Sequence, residues 1–228
     1  MSGLARRGLL GAVGRAGAVA LAAGPVLAAC ARPTADSPIS SATPEEQTVP
    51  ETTDPATAPS TLLVFFSRAG ENYWEGGRRN LEIGNTQVIA EMIAERLPCR
   101  VHEVLAADPY PDSYDETVRR NQQEQQEDAR PEIDGDLPDL DGIDTILLGS
   151  PVWNTRAPMI IRTFLEQAGG LPGMTIHPFL TYAVGEGSVV ADYEELCPEA
   201  RVEDGLAIRG EEARDSADAV SAWLATVA

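Results

Sequence analysis

The sequence from residue 61 to residue 228 predicts an α/β fold in which helices cover both faces of a parallel sheet. Two observations favour this fold class. Short continuous apolar runs, such as 62–66, are typical of strands that are buried on both faces. These runs alternate with segments in which apolar residues recur at helical spacing, and a strict alternation of strand and helix is typical of a parallel sheet.

The predicted elements follow one another in regular order. Strands are predicted at 62–66, 101–105, 144–149, 175–184 and 202–206, of which the last is short and weakly apolar. Helices are predicted at 88–97, 113–126, 158–168, 188–196 and 211–227. Ile160, Ile161 and Phe164 lie on one face of the third helix, which begins with a proline at its first turn. Ligands of such sheets bind at the C-terminal ends of the strands, so the loops after the first, third and fourth strands form the candidate site.

The first 29 residues predict an export signal. Arg6 and Arg7 precede a weakly apolar run that contains no acidic residue, as in a signal peptide. Residues 27–30, LAAC, resemble the lipobox of bacterial lipoproteins, which implies lipidation at Cys30; the alternative is a chance cysteine near an ordinary cleavage site. The arginine pair also resembles a twin-arginine signal, although paired arginines occur in general export signals too. We expect an exported protein that is lipid-anchored to the outer face of the bacterial cytoplasmic membrane.

The segment 30–60 predicts the lipid-attachment cysteine followed by a disordered linker. It is rich in Pro, Thr, Ser, Ala and Glu and has almost no large apolar residue. Such a segment cannot bury enough apolar surface to fold. The folded domain is therefore expected at 61–228.

Composition and motifs argue against several function classes. The net charge of −19 argues against nucleic acid as a partner, because contacts to phosphates need a basic surface. The sequence has no lysine, which excludes a P-loop lysine and a Schiff-base lysine, and it has no G-x-S-x-G motif. His102 and His177 have no neighbouring cluster of ligands, so we expect no metal site.

The first of the three loops has the composition of a phosphate-binding loop. Residues 67–70, SRAG, leave the first strand, and residues 84–86, GNT, open the next helix. Small residues let backbone N–H groups approach an anion, hydroxyls add donors, and a helix N-terminus adds partial positive charge. The alternative is a simple turn in which Asn85 or Thr86 caps the helix.

The other two loops favour a phosphate-binding loop over a simple turn. Trp153 lies in the loop after the third strand, where a large exposed aromatic side chain is costly unless it covers another group. Two glycines, Gly185 and Gly187, follow the fourth strand. An aromatic residue and a glycine-rich loop beside a phosphate-binding loop suit a planar heterocycle that carries one phosphate.

With these three motifs in this order, the chain resembles the flavodoxin family over nearly all of 61–228. The resemblance implies a flavodoxin-like three-layer sandwich, a five-stranded parallel sheet in the order 2-1-3-4-5, and noncovalently bound FMN. Carried onto this sequence, with two residues of the first loop's insertion, the expected cofactor-binding residues are Ser67, Arg68, Ala69, Gly70, Asn72, Tyr73, Gly84, Asn85, Thr86, Ser150, Pro151, Val152, Trp153, Asn154, Gly185, Glu186 and Gly187. No catalytic residue is implied.

The chain departs from the compact S/T-x-x-G-N-T loop of many flavodoxins, because residues 71–83 separate Gly70 from Gly84. Aromatic residues in an inserted loop commonly cover a ligand or a partner site, so we expect Tyr73 and Trp74 to cover either the flavin or a partner site. In the implied strand order Cys99 and Cys197 fall toward opposite sides of the sheet, so we expect two separate thiols.

The resemblance leaves three functions open. An electron carrier accepts electrons from one redox protein and passes them to another. An FMN-dependent NAD(P)H:quinone-type reductase has the same fold, and a binding protein can keep the fold without the flavin. We favour the carrier. We also expect the carboxylates of Asp192, Glu194 and Glu195 to add negative potential near the ring.

Overall fold

The computed structural model describes residues 60–227. The predicted signal peptide (1–29), Cys30 and all but the last residue of the predicted linker lie outside the described residues. Within 60–227 there is no helix with both the length and the apolar character needed to cross a bilayer.

The described region contains eight strands and five α-helices. The strands are β1 (Thr61–Phe65), β2 (Gly70–Trp74), β3 (Gly77–Leu81), β4 (Arg100–Glu103), β5 (Thr145–Pro151), β6 (Thr175–Tyr182), β7 (Arg201–Val202) and β8 (Leu206–Arg209). The helices are α1 (Asn85–Ala94), α2 (Tyr114–Gln126), α3 (Met159–Gln167), α4 (Val189–Leu196) and α5 (Ala217–Val227). A 3₁₀ helix, Gly210–Asp215, precedes α5.

The main sheet is parallel and has the order β4-β1-β5-β6, with β7 and β8 both paired to the outer edge of β6. Taken together, β7 and β8 are the fifth strand, so the predicted fold class and the strand order 2-1-3-4-5 are confirmed. The predicted single strand at 202–206 is wrong in detail. Residues 203–205 separate the two pieces opposite Pro178, which has no N–H to donate to a strand ladder.

Both faces of the sheet are buried. Leu62 and Val64 of β1 point into the core on the side of α3 and α4. Leu63 and Phe65, the alternate residues, point into a second core on the side of α1 and α5. Because side chains alternate along a strand, a strand covered on both faces must be apolar throughout, as the run at 62–66 is.

The insertion at 71–83 contains most of an antiparallel hairpin, formed by β2 and β3. Glu75 and Gly76 make its two-residue turn, with φ of 45° and 82°. Positive φ at both positions is the mark of a type I′ turn, whose twist suits a tight hairpin. The prediction of an insertion is thus refined to a defined element that begins at Gly70.

Two helix boundaries differ from the prediction. Gly84, rather than Asn85 or Thr86, is the N-cap residue of α1. The helix predicted at 211–227 is divided into the 3₁₀ helix and α5, and Ser216 lies between them. The Ser216 hydroxyl donates to the carbonyl of Ala213 at 2.8 Å, while its own carbonyl accepts from the N–H of Val220 at 2.9 Å. Ser216 therefore closes one helix and opens the next.

Candidate functional site

A cavity of about 250 Å³ lies at the C-terminal ends of β1, β5 and β6. The predicted site residues that line it are Ser67, Arg68, Asn72, Tyr73, Asn85, Thr86, Pro151, Val152, Trp153 and Asn154. Those that do not line it are Ala69, Gly70, Gly84, Ser150, Gly185, Glu186 and Gly187. The fold thus brings residues of the first two loops to one cavity, and their role in binding a cofactor stays a prediction.

The first loop is fastened to the start of α1. The Ser67 hydroxyl accepts a hydrogen bond from the N–H of Gln87 at 3.0 Å, so a loop residue caps the helix from outside. A Cβ on Gly84 would stand 2.6 Å from the carbonyl oxygen of Arg68, well inside van der Waals contact. Gly84 is therefore needed for this close approach, although it does not line the cavity. The Ser67 hydroxyl keeps its own hydrogen to donate to a ligand.

The Thr86 hydroxyl forms a hydrogen bond with a residue that the sequence did not indicate as part of the site. The Thr86 and Thr181 Oγ1 atoms lie 2.8 Å apart, and both side chains are buried at the cavity wall. A pair of hydroxyls uses one hydrogen for its mutual bond. The second hydrogen is free to be donated into the cavity, so the pair can serve an anion.

Arg68 places a cation beside this loop. Its guanidinium donates to the carbonyl oxygens of Pro111 at 2.9 Å, Asp112 at 3.2 Å and Glu71. In the described part of the chain it forms no ion pair with a carboxylate. Burial lowers the pKa of Arg68, and the nearby charges of Asp112 and Glu71 act in the opposite direction. A partly buried guanidinium whose hydrogen bonds all go to carbonyl oxygens suits an anionic ligand.

The hairpin forms another wall and is held at both ends. At its base the N–H of Glu71 donates to the carbonyl of Asp112 at 2.8 Å, and the Glu71 carboxylate accepts from the N–H of Tyr114 at 3.1 Å. At its tip the N–H of Glu75 donates to the carboxylate of Glu211 at 3.0 Å. The hairpin therefore spans from the start of α2 to the 3₁₀ helix.

The two strands of the hairpin differ. Asn72 and Tyr73 line the cavity. Arg78 lies over the ring of Tyr114 at 3.7 Å from its centroid, and Arg79 lies over the ring of Trp74 at 4.3 Å. The hairpin thus covers the cavity with its first strand and carries exposed cations on its second.

Trp153 is held in a tight turn at the cavity. The residues after it, Asn154 and Thr155, have φ of 48° and 68°, and the backbone of Trp153 bonds to that of Arg156 in both directions. The indole ring is half-buried and meets the rings of Phe66 and Tyr110 edge to face, with centroids 5.3 and 4.9 Å away. Trp153 therefore packs on neighbouring segments as well as lining the cavity.

The three carboxylates that were expected to add negative potential near the ring do not line the cavity. Asp192 is buried and accepts from Arg156 Nε at 2.9 Å and from the N–H of Ala157 at 3.0 Å. Its charge is balanced there, where it anchors the Trp153 turn. Asp192, Glu194 and Glu195 do not line the cavity, whereas Glu211 does.

Some predicted residues have structural roles. The buried Ser150 hydroxyl bonds to the Tyr193 hydroxyl at 2.9 Å, on the side of α4. Gly70, with φ of 80°, turns the chain into β2. Gly187 packs against Thr155, where a Cβ would stand 2.7 Å from the Thr155 Cα. Ala69, Gly185 and Glu186 are exposed and do not line the cavity.

Other cavity residues come from elements that the sequence did not assign to the site. They are Tyr114, Thr117, Val118, Asn121 and Gln122 of α2, then Thr181, Tyr182 and Ala183, and then Gly210 and Glu211. The α2 residues recur at helical spacing, which is a signal that the sequence does contain. In residues 60–227 there is no cluster of His, Cys, Asp and Glu that could hold a metal, and Cys99 and Cys197 are free thiols.

The comparisons with known proteins agree with the fold. Residues 82–227 match the model of a family described as flavodoxin. A comparison with curated proteins gives no match. A crystal structure from Bacteroides uniformis, of a protein proposed to be a flavoprotein, is 25% identical with a TM-score of 0.58 and covers 74% of this chain and 99% of its own.

Two further solved structures share the fold. A second protein proposed to be a flavoprotein, from Bacteroides eggerthii, is 23% identical with a TM-score of 0.58, covering 73% of this chain and 96% of its own. A flavoprotein of Lactobacillus acidophilus in complex with FMN is 24% identical with a TM-score of 0.51, covering 71% of this chain and 97% of its own. The family model matches more than half of the length of this chain, and the chain therefore belongs to the flavodoxin family.

Proposed function

We propose that the protein binds FMN and carries electrons between redox proteins outside the cytoplasm. The observation that carries the proposal is that the ends of β1, β5 and β6 meet at one cavity, with hydroxyls and a helix N-terminus on one side and Trp153 on another. The family assignment and the L. acidophilus structure with FMN support the choice of cofactor.

The residues present fit FMN. Ser67, the Thr86 and Thr181 pair, and Arg68 offer hydroxyl and guanidinium donors for one phosphate, together with the N-terminus of α1. Trp153 offers an apolar surface for the ring. When bound, FMN supplies one- and two-electron transfer.

The cavity wall favours a carrier over an enzyme. Glu211 is the single carboxylate among the described residues that line it, and this side chain already accepts from the N–H of Glu75 and pairs with Arg209 at 3.4 Å. Its hydrogen bonds hold the hairpin, so we assign it a structural role rather than that of a general acid or base. The electron donor and acceptor are then redox proteins.

A quinone-type reductase is the second candidate. The observation that favours it is the hairpin, whose Asn72 and Tyr73 enclose the cavity and could border a small substrate. Steady-state oxidation of NAD(P)H with a quinone, measured on the FMN-loaded protein, separates the two functions. The carrier predicts turnover no faster than that of free FMN at the same concentration, whereas turnover far above that level identifies a reductase.

We propose that the protein is exported and held by lipid at Cys30 on the outer face of the bacterial cytoplasmic membrane. The lipobox-like residues 27–30 support this proposal. Cys30→Ser is expected to release the protein from the membrane fraction, and a membrane-bound, fully processed variant contradicts lipidation. If export follows the twin-arginine route, lysine at positions 6 and 7 blocks it, and normal export of that variant contradicts the route.

A further inference from the structure

Helix α2 forms a long wall of the cavity. Its cavity residues, Tyr114, Thr117, Val118, Asn121 and Gln122, recur at intervals of three and four and therefore share one face. At its start, the N–H of Tyr114 is held by Glu71, which follows the phosphate-binding loop. Near its end, Gln125 donates to the Trp153 carbonyl at 3.1 Å and accepts from Asn154 at 2.7 Å. The helix thus runs from the phosphate cradle, formed by residues 67–70 and 84–86, to the Trp153 turn.

Asn121 stands out on this face. Its side chain is only 3% exposed, and its Oδ1 is buried and accepts no hydrogen bond from any residue in 60–227. Buried amide oxygens in folded proteins nearly always have a partner. The other buried side-chain atoms without a partner in this part of the chain belong to His102 and Trp223, which do not line the cavity. The Asn121 amide is therefore an unused polar group at the ligand site.

The position of Asn121 along α2 indicates which part of a ligand it meets. It lies one helical turn before Gln125, on the same face, and Gln125 holds the Trp153 turn. It lies seven residues after Tyr114, or about 10 Å along the axis at 1.5 Å per residue. Asn121 is therefore nearer to the Trp153 end of the cavity than to the cradle.

We propose that Asn121 recognises the imide edge of the isoalloxazine ring, where one N–H lies between two carbonyls. This inference rests on the proposed binding of FMN. A carboxamide offers one acceptor and one donor group side by side, which is the complement of an N–H next to a carbonyl. Rotation about the last side-chain bond exchanges Oδ1 and Nδ2, so the amide can turn its acceptor toward the ring. Asn121 is thus a specificity residue on a helix, outside the three loops.

The test compares FMN with its N3-methyl analogue, which lacks the imide N–H. Dissociation constants are measured by flavin fluorescence for the wild type and for Asn121→Leu. We expect the wild type to bind FMN about tenfold more tightly than the analogue, and Asn121→Leu to bind both with the same, weaker affinity. Gln123→Leu, an exposed position on the same helix, is the matched control and is expected to retain the wild-type discrimination.

A second measurement separates recognition from a structural role. Removing a buried acceptor that has no partner does not weaken a fold, so flavin-free Asn121→Leu is expected to unfold in urea at the wild-type concentration or above. The inference is overturned if the wild type binds the two flavins with equal affinity. It is also overturned if Asn121→Leu weakens the binding of both flavins by the same factor and so keeps the preference for FMN. If the wild type binds neither flavin, the proposed function fails and this inference fails with it.

Discussion

The Thr86 hydroxyl is the group of the phosphate cradle whose removal is simplest to interpret. Thr86→Val keeps the shape and the branched Cβ and removes the oxygen that lies 2.8 Å from Thr181 Oγ1. A hydrogen bond to a charged group contributes about 1.5 to 3 kcal/mol, so we expect FMN to bind roughly tenfold to a hundredfold more weakly. The same loss leaves the buried Thr181 hydroxyl without its partner and lowers the free energy of unfolding by about 1 kcal/mol.

Riboflavin, which lacks the phosphate, shows whether the loss arises at the phosphate. Fluorescence titrations of Thr86→Val are expected to give a riboflavin affinity close to that of the wild type. Thr163→Val is the matched control, because Thr163 is also buried and its hydroxyl donates within α3 to Met159 at 3.2 Å, outside the cavity. It is expected to lose stability without losing FMN. An unchanged FMN affinity in Thr86→Val, or an equal loss of riboflavin, refutes the assignment.

Three further variants test the cradle, the Trp153 turn and the fold. Gly84→Ala forces a Cβ against the first loop, so we expect it to lower the free energy of unfolding by about 1 to 3 kcal/mol and to weaken the binding of FMN. The control Gly77→Ala meets only an ordinary contact at 3.6 Å and is expected to do neither. Equal urea midpoints for the two variants contradict this. Trp153→Leu is expected to weaken FMN and riboflavin alike, by roughly twofold to tenfold, and to ease the second one-electron reduction by admitting water; unchanged affinities and potentials show that the ring does not stack on the flavin. Burial lowers the pKa of His102, so below about pH 6.5 the unfolded chain takes up a proton that the folded chain does not, and the free energy of unfolding decreases as the pH is lowered. Between about pH 7.5 and pH 5.5, His102→Phe is expected to lose less stability than the wild type. An identical loss contradicts this.

Sequence patterns predicted the sheet because local rules determine its elements. A strand buried on both faces must be apolar at every position, and the run at 62–66 is. The division of the fifth strand could not be predicted in the same way, because it depends on which residues of β6 face residues 203–205.

The site was predictable only in part, for the same reason. The loops after β1 and β5 carry glycines, hydroxyls and Trp153, which are recognisable in sequence. Thr181 and Asn121 belong to a strand and a helix, and they reach the cavity only through the packing of β6 and α2. In the third loop, Gly187 makes room for Thr155, a close approach between two loops that the sequence does not reveal.

Identification of the bound cofactor tests the central claim most directly. The protein is purified without added flavin, and its absorption spectrum is recorded. Protein that is colourless is then reconstituted with a mixture of FMN, FAD and riboflavin. The cofactor released on denaturation is identified by chromatography and mass spectrometry. The account predicts a flavin spectrum and the release of FMN. Release of FAD, or a protein that retains no flavin after reconstitution, contradicts it.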